Sequence, residues 1–431
     1  MIENLLNAFR APDIRRRLLF VAGALIVFRF LSHVPVPGAN PKALEELFNS
    51  NSLLGLLDLF SGGGLARFSI VGLGVNPYIN ASIIMQIMTG VVPQLQALSR
   101  EGEYGRNKIN QYTRYLSVPL AMLQAYGFLA LLHNTSGSQG PVLSGPFGLS
   151  NIETLTQIVA LTAGSVLLMW IGELITEKGI GNGVSFIIFA GIVGRAPNAL
   201  IAFLNAPDPA AFIVFAIVAI VAVFVIVYIQ EGQRRIPIQY ASRVRGRRMY
   251  QGGSTFLPLR VNQAGVIPII FAVSILLFPA QIAQYFSNSN IKIVADIAQA
   301  IVTLLDPHRP LYAILYFLLT FGFTYFYTAF TFKPDETAEQ LRKNGGFIPG
   351  IRPGRPTQDY LQRVVYRITV AGAFFLAVVA VSPILVGAVF ASLSGLTLGG
   401  TSLLIVVSVV VETMKQIEAQ LLMRNYEGFI R

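Results

Sequence analysis

Ten stretches of about twenty mostly apolar residues recur along the chain, near 18 to 36, 70 to 92, 115 to 133, 152 to 175, 184 to 204, 211 to 229, 264 to 285, 311 to 332, 366 to 391 and 401 to 418. Each is long enough for a helix to cross a hydrocarbon core roughly 30 Å thick. Hydrophobic residues make up 54% of the 431 and charged residues only 12%, far more apolar surface than a water-exposed shell could hide. Backbone groups in hydrocarbon have to pair within their own segment, and the strand alternation of a barrel is missing from these stretches. The expected fold is therefore an all-α, polytopic membrane bundle of ten transmembrane helices.

Lysine and arginine orient it. With both termini cytoplasmic, 26 of the 32 basic residues fall on that side, in the N-terminal segment, the loops after spans two, four, six and eight, and the tail. Lys42, Arg67, Arg195, Lys292 and Arg309 fall opposite, and Arg29 stays within the first span, near its outer end, where it is expected to snorkel. Arg15, Arg16 and Arg17 precede a stretch read as a retained first span rather than a cleaved targeting peptide. Five spans per half, 1–206 and 207–431, make the second half enter from the opposite face, the arithmetic of an inverted repeat.

Several function classes lose support. The sequence has no cysteine, so disulfides, thiolate nucleophiles and cysteine-ligated metals are excluded. His33, His133 and His308 lie far apart, and no HExxH, GxSxG or GxxxxGK(S/T) string occurs. No enzyme, cofactor or metal site is expected. Ionisable groups are almost absent from the span interiors, with Glu153, Glu173 and Glu412 near boundaries. Such a lining suits a seal better than a site for an ion or sugar.

Other features admit two readings. Three glycines at 62–64, then Gly72, Gly74 and Pro77, break the second stretch, so a short segment, an interruption and a helix from about 76 are expected. This is either an outer loop before a kinked helix or a re-entrant element that moves. Gly179 to Gly183 read as a tight turn between spans four and five. Gln86 and Asn262 either bond to neighbouring helices or take part in gating. The basic loops near 230–263 and 333–363 are either topology signals or an arginine-rich docking surface for an acidic protein or ribosomal RNA.

Seven motifs then occur in one order. They are Phe60-Ser61-Gly62-Gly63, Pro77 to Ile84, Gly102-Glu103 through Arg114, Thr176 to Gly183, Ala264 to Pro268, Pro349 to Gly354 and Gly399 to Ser402. On these motifs the chain resembles the SecY family of channel-forming subunits of the bacterial protein translocase, across essentially its whole length. The resemblance implies a clamshell of two five-helix halves around an hourglass pore, in the cytoplasmic membrane. It implies a lateral gate between spans two and three on one side and seven and eight on the other.

Carried over by motif, the constriction ring is Val75, Ile79, Val184, Ile188, Ile270 and Ile405, with valines where the family has isoleucines at 75 and 184. The plug is about 57–68, with Ser61, Gly62, Gly63, Gly64, Leu65 and Arg67. Gln86 and Asn262 are the gate amides, and Arg243, Arg247, Arg248 and Arg352 the docking residues. Ser242 stands where some members carry lysine, and relatives often continue past the position of Arg431 with a basic tail, so the docking charge is arranged differently here. The implied partners are the membrane subunits SecE and SecG, the ATPase SecA, the ribosome, an unfolded preprotein with its signal sequence, and lipid. The rival function is a secondary transporter binding a small solute at broken helices near the midplane.

Overall fold

A computed structural model describes residues 11–428 apart from 51–53, 56–57, 59–60, 135, 138–139, 144, 146, 149, 205–208, 241–242, 246–247, 251–252, 288–290, 308 and 390–397. Ten helices coincide with the ten apolar stretches: α1 (Pro12–Leu31), α3 (Asn76–Val91), α5 (Glu103–Asn134), α6 (Ile152–Lys178), α7 (Gly183–Leu204), α8 (Pro209–Glu231), α9 (Ile267–Phe286), α11 (Pro310–Thr331), α13 (Arg355–Val389) and α14 (Leu398–Gly428). Among the described residues, four shorter helices fill connections, α2 (Pro41–Ser50), α4 (Pro93–Ser99), α10 (Lys292–Leu304) and α12 (Pro334–Lys343), and strands β1 (Ser136–Gly137) and β2 (Gly140–Pro141) pair after α5. Five of the ten pass a strict test of length and apolarity among the described residues, and α3 with α4 forms a sixth, bent pair.

Proline sets many of the starts. It stands in the first turn of α1, α3, α4, α9, α11 and α12, where its fixed φ fits the helix and its missing N–H is not needed. Pro93 also turns α4 away from α3 by 102°. Over its 16 residues α3 rises only about 24 Å, short of the hydrocarbon thickness. The deficit is met by residues 61–75, which run as successive turns before Asn76.

The helices sort into two groups of five. Within the first, α5 packs on α3 and α6, and α6 on α7 and α1; within the second, α9 packs on α11, α11 on α13, and α14 on α13 and α8. The groups meet along two seams, α3 and α5 against α9 on one side and α7 against α14 on the other. One continuous core runs through both groups.

The two basic loops fold together, which the sequence reading did not anticipate. Strand β3 (Gln233–Tyr240) pairs antiparallel with β6 (Ser254–Arg260), and β7 (Gly346–Phe347) from the second loop joins the free edge of β3 through Gln239 and Tyr240. Between them β4 (Arg243–Arg245) and β5 (Arg248–Tyr250) make a separate hairpin. Ile236 and Ile238 point inward while Arg235, Pro237 and Gln239 point out. The inward pair shares a small core with Leu259, Leu341, Ile348 and Leu361. The spans are helical as expected, and this three-stranded cap is added to them.

Candidate functional site

A cavity of about 470 Å³ opens among α3, α5, α6, α7, α9 and α11. Its lining is about half polar and half apolar. Arg114 on α5 donates through Nε to Glu173 Oε1 on α6 at 2.7 Å, and Asn107, Glu177 and Asn182 line the same space. Its apolar part includes Ile79 from α3, Val184 from α7 and Ile270 from α9, beside Ile267, Phe271 and Tyr327. Val184 reaches it because α6 and α7 cross tightly there: a Cβ on Gly172 would lie 3.4 Å from a Val184 methyl. Val75, Ile188 and Ile405 are each 1% exposed or less and belong to the same core as Ile79 and Ile270, with Val184 half-buried against it. Three of the six expected ring residues line this cavity, and all six belong to or pack against the one large core that runs through both helix groups.

Residues 61–75 run as compact turns, and their Leu65, Phe68, Val71, Leu73 and Val75 belong to that same core. Gly62, Gly63 and Gly74 sit at φ 71°, 84° and 62°, and Phe68 at 49°, left-handed values that side chains rarely adopt. Ser61 Oγ donates to Asp58 O at 3.0 Å and accepts from Leu65 N at 3.0 Å. Asp58 Oδ1 accepts from Ala66 N at 2.8 Å. Ser61, Gly62, Gly63, Gly64 and Leu65 are buried, and Arg67 is exposed. Phe68 packs against Phe128 with ring centroids 6.3 Å apart. Ser165 on α6 anchors the far end by donating to Gly74 O at 2.8 Å.

Two residues in this region escaped the sequence reading. Asp58 is 1% exposed and closes the turn through backbone N–H groups. Arg29 is half-buried and finds acceptors within the protein: its Nη1 donates to Gly62 O at 3.1 Å and its Nη2 to Gly194 O at 3.2 Å. The available signal was an arginine inside an apolar stretch, which requires acceptors within the protein or at the interface.

Gln86 and Asn262 are not hydrogen-bonded to each other. Gln86 Nε2 donates to Ser82 Oγ at 3.3 Å and Asn262 Nδ2 to Gly265 O at 3.1 Å. The amide oxygen of each is buried without a partner. Gln86 faces the cavity, at the seam between α3 and α9. Of the expected docking residues, Arg243 and Arg248 lie on the β4–β5 hairpin, where Arg245 pairs in register with Arg248. Arg352 is exposed in the turn before α13, its carbonyl accepting from Thr357 Oγ1 at 2.8 Å. Arg247 lies outside the described residues.

The family model for SecY matches residues 69–414. The chain belongs to the SecY family. It is 44% identical to the "Protein translocase subunit SecY" of Streptomyces coelicolor over 442 residues, covering 100% of both chains. SecY and its counterparts also supply the fold. The chain superposes with TM-score 0.68 and 18% identity on a structure described as "The structure of a protein conducting channel", covering 94% of this chain and 92% of that one. For "Sec61 in the Canine ribosome-channel complex from the endoplasmic reticulum" the TM-score is 0.65 at 17% identity, with 94% and 92% covered. SecY membership accounts for the ten-helix clamshell seen here.

Proposed function

We propose that the chain is the pore-forming subunit of a protein translocase, passing unfolded secretory polypeptides across the cytoplasmic membrane and releasing apolar segments sideways into lipid. One observation carries this reading: a cavity of about 470 Å³, half polar and half apolar, whose lining includes Ile79, Val184 and Ile270. An unfolded chain cannot shed the hydration of its backbone into hydrocarbon, because each unpaired peptide group costs several kcal/mol. Arg114, Glu173 and the amides hydrate it on the way in. At the ring, aliphatic side chains contact the passing chain without offering it hydrogen bonds, and a vacant constriction of that size dewets. The segment 57–68 backs the ring on the other side as a plug. Membership of the SecY family, rather than the lining of this cavity, weighs against a solute transporter.

The two halves, 1–206 and 207–431, part along the seam of α3 and α5 against α9 to let a signal sequence out. At about 0.8 kcal/mol per buried methylene, a few leucines moving into lipid supply the few kcal/mol that separate two packings of the seam. The orphaned amide oxygens of Gln86 and Asn262 line that route as its polar latch. Both termini and the sheet-built cap face the cytoplasm. Arg243, Arg247, Arg248 and Arg352 receive the SecA ATPase or the ribosome, and SecE and SecG complete the membrane complex. The ribosome-bound canine Sec61 supports such a contact for this fold. The chain carries no nucleotide-binding loop, so a partner drives the movement.

Replacing Ile79, Ile188, Ile270 and Ile405 together by glycine is expected to raise the ion conductance of resting channels in planar bilayers severalfold. Unchanged conductance, or failure of reconstituted vesicles supplied with SecA to import a secretory precursor, overturns the reading.

A further inference from the structure

The end of α1 holds the turn 61–64 by its backbone. Arg29 Nη1 donates to Gly62 O at 3.1 Å while Nη2 donates to Gly194 O of α7 at 3.2 Å, so one guanidinium ties three chain segments together. Gly62 has no room for a side chain, and at Gly194 an added side chain would meet the Arg29 guanidinium itself. A Cβ on Gly62 would lie 2.8 Å from Gly191 Cα and 3.1 Å from the Phe28 ring; one on Gly194 would lie 3.0 Å from Arg29 Nη1. One turn further along, His33 Nε2 lies 2.6 Å from Arg67 Nη1, and His33 Nδ1 lies 2.8 Å from Arg29 O. With Nε2 accepting from Arg67, the ring proton sits on Nδ1 and goes to Arg29 O.

A guanidinium stays charged at any working pH and cannot be left without acceptors at this depth. Its planar fork is suited to two oxygens held side by side, and an ammonium is not. We propose that Arg29 is a positioning residue, a clasp that fixes the turn Ser61–Gly64 against α7 in the resting channel. The clasp opens when water or carbonyl oxygens of a transiting chain replace the Gly62 oxygen. The resting seal then depends on a charged donor from the first helix as well as on the ring, and the arrival of a hydrated polypeptide supplies what releases it. This inference rests on the reading of 57–68 as a plug.

The test uses the complete translocase, with its companion subunits, carrying Arg29→Met or Arg29→Lys. Resting conductance is one readout. The other is labelling of a Leu65→Cys reporter by a membrane-impermeant thiol reagent, the only thiol in this chain, at a side chain that is 3% exposed and carries no hydrogen bond of the turn. Losing a charge-assisted hydrogen bond is expected to raise both about tenfold in Arg29→Met. Methionine keeps much of the aliphatic bulk, so a role confined to packing leaves both at the parent level, and that result overturns the clasp. Arg29→Lys keeps the charge but cannot hold both carbonyls in one plane, and about a threefold rise is expected. If Arg29→Met fails to accumulate, an unchanged Arg29→Lys overturns the clasp instead. The ring glycine variants run alongside: if they leak while the Arg29 variants stay tight, the clasp fails and the pore reading stands. If none of them leaks, the pore reading itself fails.

Discussion

Asp58 is a carboxylate at 1% exposure whose Oδ1 accepts from Ala66 N at 2.8 Å, and it closes the buried turn that follows it. Asp58→Ala strands that N–H together with the Ser61 hydroxyl geometry. The expected cost is about 1–3 kcal/mol, read as a lower melting temperature of the purified complex and faster proteolysis within 58–68. Asp58→Asn keeps an acceptor oxygen and is expected to recover more than half of the loss. Gly62 is a second sensitive point. It combines φ 71° with a Cβ position 2.8 Å from Gly191 Cα, so Gly62→Ala meets both backbone strain and a clash with backbone. The turn has to move off α7, and the same conductance measurement should register a leak. Gly102 also has a positive φ, 75°, but nothing lies within 4 Å of its Cβ, so Gly102→Ala carries strain without collision and leaves conductance unchanged.

At the scale of elements, the cap is a folded unit with its own core. Ile236 and Leu361 are 1% and 0% exposed, and replacing Ile236 by aspartate buries an unpaired charge there. Ile236→Asp should leave membrane insertion intact, make the loops protease-sensitive and abolish partner-driven export. Charge reversal at Arg248 and Arg352 should weaken export while the cap stays protease-resistant; export that survives both reversals returns the loops to mere topology signals. The strands were legible after the fact. Ile236 and Ile238, and Leu257 and Leu259, alternate with polar or proline positions at period two. Density of arginine and glycine-proline turns drew attention away from that short pattern. The third strand, β7, is two residues long, and only pairing with β3 makes it one. The helical spans needed no such context, because a twenty-residue apolar run has one stable solution in lipid.

The whole molecule opens, on this account, along α3 and α5 against α9 while α7 and α14 stay joined. Ser82 and Ile267 line the same cavity from α3 and α9. Joining Ser82→Cys to Ile267→Cys with a short bis-maleimide should block release of a signal sequence into lipid, whereas the unlinked double variant should export normally; export through the linked protein rules out this seam. Sequence alone reached the ten helical spans, while the ring residues follow from the family resemblance and stand as part of the proposal. Sequence could not place Arg29, because which acceptors an intramembrane arginine finds depends on a turn folded back from thirty residues later. The cavity carries a final consequence. With the cavity opening to the cytoplasm, as proposed above, water and mobile ions that reach Ile79, Val184 and Ile270 bring that side's electrical potential with them. The transmembrane voltage then falls mainly across the thin layer of ring and buried turn beyond, at about 2.3 kcal/mol per elementary charge for each 100 mV. A charged side chain on a passing polypeptide feels nearly all of that work within a few residues of travel, so the field acts on the substrate as a localised step at the very place where Arg29 is held.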